Sequence, residues 1–357
     1  MTSNLLIHGE NLEGLQYLLD NGFANKIDLV YIDPPFATGG NFTITNGRAS
    51  TISNSKKGEI AYSDTLKGCE FVDYIKQRLL LVRELMSDRG SIYLHIDYKI
   101  GHYIKVMMDE VFGIDNFRND ITRVKCNPKN FDRIGYGNIK DLILFYTKSS
   151  NPIWNEPREK YTEKDIETLF PKKDKNGRRY TTVPIHAPGE TEKGKSSQLF
   201  KGIMPPAGRH WRTDVETLEE WDKQGLIEWS SNGNPRKIIY ADERQGKRVQ
   251  DIWEFKDPQY PDYPTEKNAD MLDLIVKTSS NANSIVLDCF CGSGTTLKAA
   301  QDNGRKWIGI DKSDLAISAT QKKMNSFEPN LFVTDMTFET ITLNEANHSK
   351  LIVNDNS

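Results

Sequence analysis

A chain of 357 residues with 37% apolar and 27% charged residues has the make-up of an ordinary soluble globular protein, long enough for one core with a large insertion or for two domains. No apolar run approaches the roughly 20 residues needed to span a bilayer, and the start Met1-Thr2-Ser3-Asn4 lacks the basic and apolar regions of an export signal, so a membrane partner is set aside and a cytoplasmic location expected. Cys69, Cys126, Cys289 and Cys291 show neither a disulfide framework nor a zinc spacing, so no metal is expected, and the net charge of -3 leaves nucleic acid open because a basic surface can coexist with an acidic remainder.

In chain order, Asn4 to His8 reads as a short strand, and Leu12, Leu15, Leu18 and Leu19 give one face of a helix that stops near Gly22. Ile27 to Ile32 (IDLVYI) is a buried strand that runs into Asp33. After a Gly/Ser/Thr/Asn-rich loop, Phe71, Ile75, Leu79, Val82 and Met86 recur at helical spacing with Gly90 as the stop, and Ser91 to Ile96 (SIYLHI) is the next strand. A helix around Ile104 to Phe112 and the apolar run Leu142 to Tyr146 complete an alternating βα pattern, which predicts an α/β sheet.

From about Asn151 to Pro261 the regularity gives way to Pro, Gly, Trp, Arg and Lys, which predicts an inserted region. Helices at Asp270 to Thr278, from Thr295 and from Asp314 to Met324, with strands at Ser284 to Leu287 and Lys306 to Ile310, resume the pattern. The predicted organisation is a catalytic half over 1–150, an inserted recognition region over 151–262, a ligand-binding half over 263–342, and a flexible tail over 343–357.

Two constellations carry chemistry. SIVLDCFCGSGTTLKAA places Gly292 and Gly294 between a strand and a helix, where small residues let a ligand approach the backbone, and Asp311 ends the following strand 23 residues after Asp288, where a carboxylate can grip ribose hydroxyls. Leu297 replaces the third glycine of a dinucleotide fingerprint, Thr295 and Thr296 follow, and no lysine completes a phosphate loop, so a ligand with a ribose and a carboxylate but no phosphate fits better than NAD. The second constellation is Asp33-Pro34-Pro35-Phe36 at the mouth of a buried strand. Two prolines stiffen the turn, so Asp33 and the Pro34 carbonyl can accept both hydrogens of one amino group, with Phe36 as a stacking plate.

With these motifs in this order, the sequence resembles the beta class of DNA amino-methyltransferases, in which the D-P-P-Y/F motif comes first, a target-recognition region next and F-x-G-x-G last. RGSIYLHID, DEVFG and YPTEKN extend the resemblance over nearly the whole chain, which looks most similar to adenine-specific modification subunits of type III-like systems. The resemblance implies a Rossmann-like sheet with S-adenosylmethionine as cofactor and an inserted target-recognition domain. It implies that Asp33, Pro34, Pro35 and Phe36 hold the target base. Asp33, Asp288, Phe290, Gly292, Gly294, Thr295 and Asp311 would line the cofactor pocket, with Glu10 and Asn11 near its adenine and Pro264, Thr265 and Lys267 closing over its methionine end. The chain departs from the family pattern at Cys289, Tyr263 and Asn268.

From Pro171 to Arg212 ten Lys/Arg face three acidic residues, a local excess of +7, so Lys172, Lys173, Arg178, Arg179, Arg209 and Arg212 are candidate contacts to the phosphates of double-stranded DNA. Trp211, Trp221, Trp229 and Trp253 lie in the same region and read as local core. Attack on cytosine C5 is disfavoured because no cysteine follows a proline. Cytosine N4, an inactive nucleic-acid-binding module and a NAD-dependent oxidoreductase are the rivals, and the leading Asp33 favours adenine N6. A second copy of the chain and a restriction endonuclease are admitted as partners, in a prokaryotic or phage setting.

Overall fold

The computed structural model describes residues 3–35, 41–45, 48–51, 59–63, 68–128, 132, 134–189, 194–258, 266–326 and 337–343. The chain divides into two compact units, one formed by 1–157 with 250–357 and the other by Arg158–Val249.

The larger unit is built on a nine-stranded sheet. Its strands are β1 (Asn4–His8), β2 (Ile27–Ile32), β3 (Met86–Ile96), β4 (Phe117–Val124), β5 (Lys140–Thr147), β6 (Ile252–Trp253), β7 (Ile285–Asp288), β8 (Lys306–Asp311) and β9 (Phe338–Thr342). They lie in the order β6-β4-β5-β3-β2-β7-β8-β1-β9, and all run one way except β5, which is antiparallel to both neighbours. The helices are α1 (Asn11–Asp20), α2 (Cys69–Leu85), α3 (Gly101–Phe112), α4 (Ala269–Ser279), α5 (Thr295–Asp302) and α6 (Asp314–Asn325).

A parallel sheet is covered on both faces, which is why IDLVYI, after the half-buried Asp28 near its start, runs apolar and buried rather than alternating. Successive residues of a strand point to opposite faces, and adjacent positions of β8 show the two layers. A side chain on Gly309 would meet Leu297 of α5, whereas Ile310 already fills the space above Gly14 of α1. Leu15, Leu18, Phe71, Ile75, Leu79, Ile104 and Met108 from α1, α2 and α3 pack on Ile7, Val30, Ile32, Leu94 and Ile310.

Three local expectations need correction, and a fourth is untested. Helix α2 ends at Leu85 and the chain enters β3 at once, with Met86 already extended, so Gly90 is not a helix stop. A side chain there would crowd the carbonyls of Ser87 and Ile27 at 2.9 and 3.0 Å. The polar loop after β2 carries three short antiparallel strands, Asn41–Thr45, Arg48–Thr51 and Glu59–Ser63. Strands β4 and β9 are additions, because FRNDITRV and FETIT are too polar to announce themselves without their pairing partners β5 and β1. The tail expected to fray lies outside the described residues from 344 onward.

The smaller unit holds a four-stranded antiparallel sheet of Lys172–Lys173, Arg179–Pro184, Pro235–Tyr240 and Ile227–Trp229, plus a hairpin of His186–Pro188 with Arg209–Trp211. Two helices are capped as their sequences direct: Thr162 and Asp165 form a capping box ahead of Glu163–Leu169, and Asp214 caps Val215–Lys223. Its core gathers Ile185, Phe200, Trp211, Val215 and Leu218, with Trp221 against them. Trp253 instead belongs to β6 of the larger sheet, and Trp229 is 42% exposed.

Gly309→Val tests how tightly α5 sits on the sheet, since its Cβ would fall 2.4 Å from Leu297 Cδ1. We expect overpacking to cost about 1–3 kcal/mol in urea unfolding with an unchanged denaturant slope. Wild-type stability would mean that α5 has slack.

Candidate active site

Three adjacent parallel strands bring carboxylates to one edge of the sheet. β2 runs into Asp33, β7 ends at Asp288 and β8 at Asp311, with Leu287 registered beside Val30 and Asp288 beside Gly309. The carboxyl ends of the strands in an open α/β sheet are where ligands bind.

At the first of these, Pro34 is buried and Pro35 half-buried, so the turn is anchored in the protein. Oδ2 of Asp33 pairs with Lys267 Nζ at 2.7 Å. Oδ1 is buried without a hydrogen-bond partner and lies 3.8 Å from Nδ1 of His95. His95 is itself fully buried, and its Nδ1 meets the Tyr31 hydroxyl at 2.9 Å while its Nε2 faces Asp141 Oδ2 at 3.3 Å. Burial alone would raise the Asp141 carboxyl, but His95 and Lys125, the latter 2.6 Å away, hold it down at about 2. Burial pushes the imidazole below its ordinary 6.5 against the pull of Asp141 and Asp33.

The Gly292/Gly294 turn folds over the end of β8. Gly292 N donates to Asp311 Oδ2 at 3.0 Å and Ser313 N donates to Oδ1 at 2.9 Å, while burial raises the carboxyl above 3.8. Gly292 and Gly294 have φ of 51° and 75°, and a side chain on Gly294 would fall 2.8 Å from Thr320 Oγ1. Gly294 caps α5 without a side chain, so the first-turn N–H groups of that helix have no side-chain acceptor from the cap. Beside them Lys323 Nζ reaches Glu266 at 2.6 Å, Thr295 Oγ1 at 3.0 Å and Ser293 Oγ at 3.2 Å.

Asp288 is turned inward. It accepts from Phe290 N at 3.0 Å and bonds Thr296, and burial, with Asp33 and Asp311 adding, raises it from 3.8 to about 7. It therefore ties the loop rather than lining open space. Glu10 is the N-cap of α1, accepting from Asn11 N at 2.5 Å and pairing with Arg78 at 2.9 Å. Arg78 also donates to Asn11 Oδ1 at 2.5 Å and lies 3.4 Å over the Tyr74 ring, which also packs against Phe71 and, at 6.4 Å, Phe290.

The structure thus brings Glu10, Asn11, Asp33, Lys267, Phe290, Gly292, Gly294, Thr295 and Asp311 to the carboxyl edge of one sheet. Lys267, expected beside the cofactor, is bonded to Asp33. Phe36, Pro264 and Thr265 lie outside the described residues. His95, Tyr31, Asp141, Arg78, Tyr74 and Lys323 were not anticipated. A signal existed for Arg78, a charge on the apolar stripe of α2 where Phe71 and Ile75 are buried. None existed for Lys323, a lysine in the last turn of α6 like its neighbour Lys322.

Half of the basic run is paired with acids. Lys172 pairs with Glu228, Arg178 with Asp242 and Glu243, Arg179 with Glu167, Lys195 with Glu216 and Lys201 with Asp222. Most of these acids come from later in the chain, so the local excess of +7 overstates the field. Arg209 and Arg212 remain without an ion pair among the described residues, both bonded to His186, and Arg236 adds its field to theirs. Lys173 is exposed.

The DNA methylase family profile for N6 and N4 amino groups matches residues 27–322. The chain belongs to this DNA methylase family. The type II methyltransferase M.EcaI of Enterobacter cloacae is 39% identical over 90% of the chain and 69% of its own length. The Mod subunit of the type III restriction-modification enzyme StyLTI of Salmonella typhimurium is 25% identical over 88% of the chain and 53% of its own length, so the methylase chain spans about half of that relative. The solved M1.HpyAVI–SAM complex is 17% identical over 89% of this chain and 99% of that one, with a TM-score of 0.45. The four cysteines of the methylase are free, and burial pushes the Cys289 and Cys291 thiols up, away from thiolate chemistry.

Asp288 gives a pH-dependent stability. A carboxyl raised from 3.8 to about 7 on folding binds its proton more tightly in the native state, so stability is lost as pH rises through that interval. Asp288→Asn keeps an acceptor and cannot ionise. Its melting temperature relative to wild type should rise between about pH 4 and pH 7, and a difference independent of pH would refute the burial of a titrating group there.

Proposed function

We propose that this methylase transfers the methyl group of S-adenosylmethionine to N6 of adenine in duplex DNA, on a base turned out of the helix. The observation that carries the reading is Asp33, held at the carboxyl end of β2 one strand away from the Gly292–Thr295 turn.

The residues present fit this cofactor. Two glycines at positive φ let a ligand approach the backbone, Asp311 offers a carboxylate for ribose hydroxyls, and the first turn of α5 with Lys323 offers N–H groups and a cation for a carboxylate. Glu10, Asn11, Arg78, Tyr74 and Phe290 form the aromatic and polar wall for an adenine ring. When bound, the cofactor supplies an electrophilic methyl group on a sulfonium.

An exocyclic amino nitrogen is a poor nucleophile because its lone pair is delocalised into the ring. Asp33 and the Pro34 carbonyl accept its two hydrogens, which localises the lone pair, and the proline pair keeps both acceptors from drifting. Lys267 holds Asp33 oriented by a charge-assisted bond. Phe36 supplies the stacking plate that offsets the few kcal/mol of base flipping. The leading Asp33 favours adenine over cytosine N4. Outside the catalytic unit, Arg209, Arg212 and Arg236, with Lys173, are the phosphate contacts. Restriction-modification relatives support a partner endonuclease and a cytoplasmic bacterial or phage setting.

Modification-sensitive sequencing of DNA from expressing cells, with mass spectrometry of the digested nucleosides, should return N6-methyladenine at one recognition site. N4-methylcytosine alone would move the base assignment, and 5-methylcytosine would sink the amino-group mechanism. Asp33→Ala should lower methyl transfer by at least about 1,000-fold while cofactor affinity by calorimetry stays within about tenfold. Equal loss of both would undo the separation of roles.

For DNA affinity, Arg209→Gln, Arg212→Gln and Arg236→Gln should each flatten the salt dependence by about 0.9 per lost phosphate contact. Arg178→Gln, which removes a charge already paired with Asp242 and Glu243, should not. An equal effect from Arg178 would show that ion pairing does not sort these residues.

A further inference from the structure

Methyl transfer to an amino group releases a proton, and the surroundings of Asp33 define where that proton can go. In the step an N–CH3 bond forms with the amino lone pair, the S–CH3 bond breaks with its electron pair left on sulfur, and one N–H proton passes to Asp33. Lys267, bonded to Oδ2, already carries its full complement of protons and cannot relay it. The other oxygen is sealed from solvent and faces His95.

We propose that His95 is a positioning residue for Asp33 and takes from it the proton lost by the target amino group. This rests on the methyltransferase reading above. The imidazole lies between two carboxylates, Asp33 at 3.8 Å from Nδ1 and Asp141 at 3.3 Å from Nε2, so an imidazolium formed there is balanced from both sides. Asp141 stays ionised beside Lys125, which fixes the resting tautomer: Nε2 carries the hydrogen and donates to Asp141, and Nδ1 accepts from the Tyr31 hydroxyl.

Nδ1 is therefore the basic nitrogen, and it is the one that faces Asp33. A turn of the carboxyl about its broad terminal torsion presents the new O–H to Nδ1, and rotation of the Tyr31 hydroxyl vacates it. Asp33 returns to the carboxylate and the imidazole becomes imidazolium, to be discharged after product leaves.

The groups facing the imidazole are Asp33 and Lys267 on the crevice side, Tyr31 from β2, Asp141 from β5, Arg123 from β4 and Lys125 just after it. Burial holds the imidazole neutral below its ordinary 6.5, so it is ready to accept near neutral pH. Acid should remove this capacity: as pH falls through the depressed value, His95 is already protonated and the rate drops.

Two measurements test this. In the cofactor-free protein, ¹⁵N NMR of the six histidines, with His95 assigned by its loss in His95→Gln, should show a neutral Nε2–H tautomer titrating below 6.5. An Nδ1–H tautomer would overturn the proposal. In single-turnover methylation, His95→Gln, which keeps a donor to Asp141 but offers no base, should lower the rate about 100-fold near neutral pH and abolish the wild-type acid limb, which lies below the ordinary imidazole range. A slow variant that keeps the limb, or a fast one, would reduce His95 to packing. Failure of wild type to methylate any DNA would instead overturn the methyltransferase reading.

Discussion

Everything at the candidate site depends on parallel pairing of β2, β7 and β8. Parallel strands end together, so Asp33, Asp288 and Asp311 arrive at one sheet edge although their positions in the chain are far apart. Like charges gathered in a buried place resist ionisation, and the fold meets this cost differently at each one. Asp33 receives Lys267, Asp311 receives backbone N–H groups from Gly292 and Ser313, and Asp288, with the least access to water, has its carboxyl raised to about 7. The three acids thereby divide into one held by a cation, one held by backbone N–H groups and one that ties the loop.

Behind this edge the polar interior is continuous. Tyr31 and His95 point to the face of the sheet opposite Val30 and Leu94, and connect Asp33 to Asp141, Lys125 and Arg123. Arg123 is fully buried in β4, donating to Phe255 O at 2.8 Å and pairing with Asp257. Burying so many ionised groups is expensive unless each is paired. An apolar sheet of the same shape would be easier to fold, but it would leave Asp33 without these polar neighbours.

The smaller unit shows the converse economy. Several of its basic residues pair with acids of the same unit, and exposed pairs of this kind contribute little to stability. Their effect is to offset positive charge at the paired positions, whereas at Arg209, Arg212 and Arg236 no carboxylate pairs with the guanidinium groups among the described residues.

The sequence by itself determined the α/β sheet, the positions of β1, β2, β7 and β8 and of most helices in the larger unit, and the two motifs at its carboxyl edge, because apolar periodicity and Gly/Pro punctuation are local signals. Asp33 and the Gly292/Gly294 turn were legible for the same reason: each sits beside a strand whose burial is written in its own residues. What only the tertiary structure decided are relations between distant segments. Strand β4 is recognisable through β5, the end of α2 through the immediate start of β3, and the partners His95, Asp141, Lys323 and Arg78 through folding of separate elements onto one another. Charge behaves likewise, since Lys172 and Arg178 look free in the chain and are neutralised by Glu228 and Asp242, more than fifty residues later. Pairing energy depends on distance in space, and a sequence pattern records only distance along the chain.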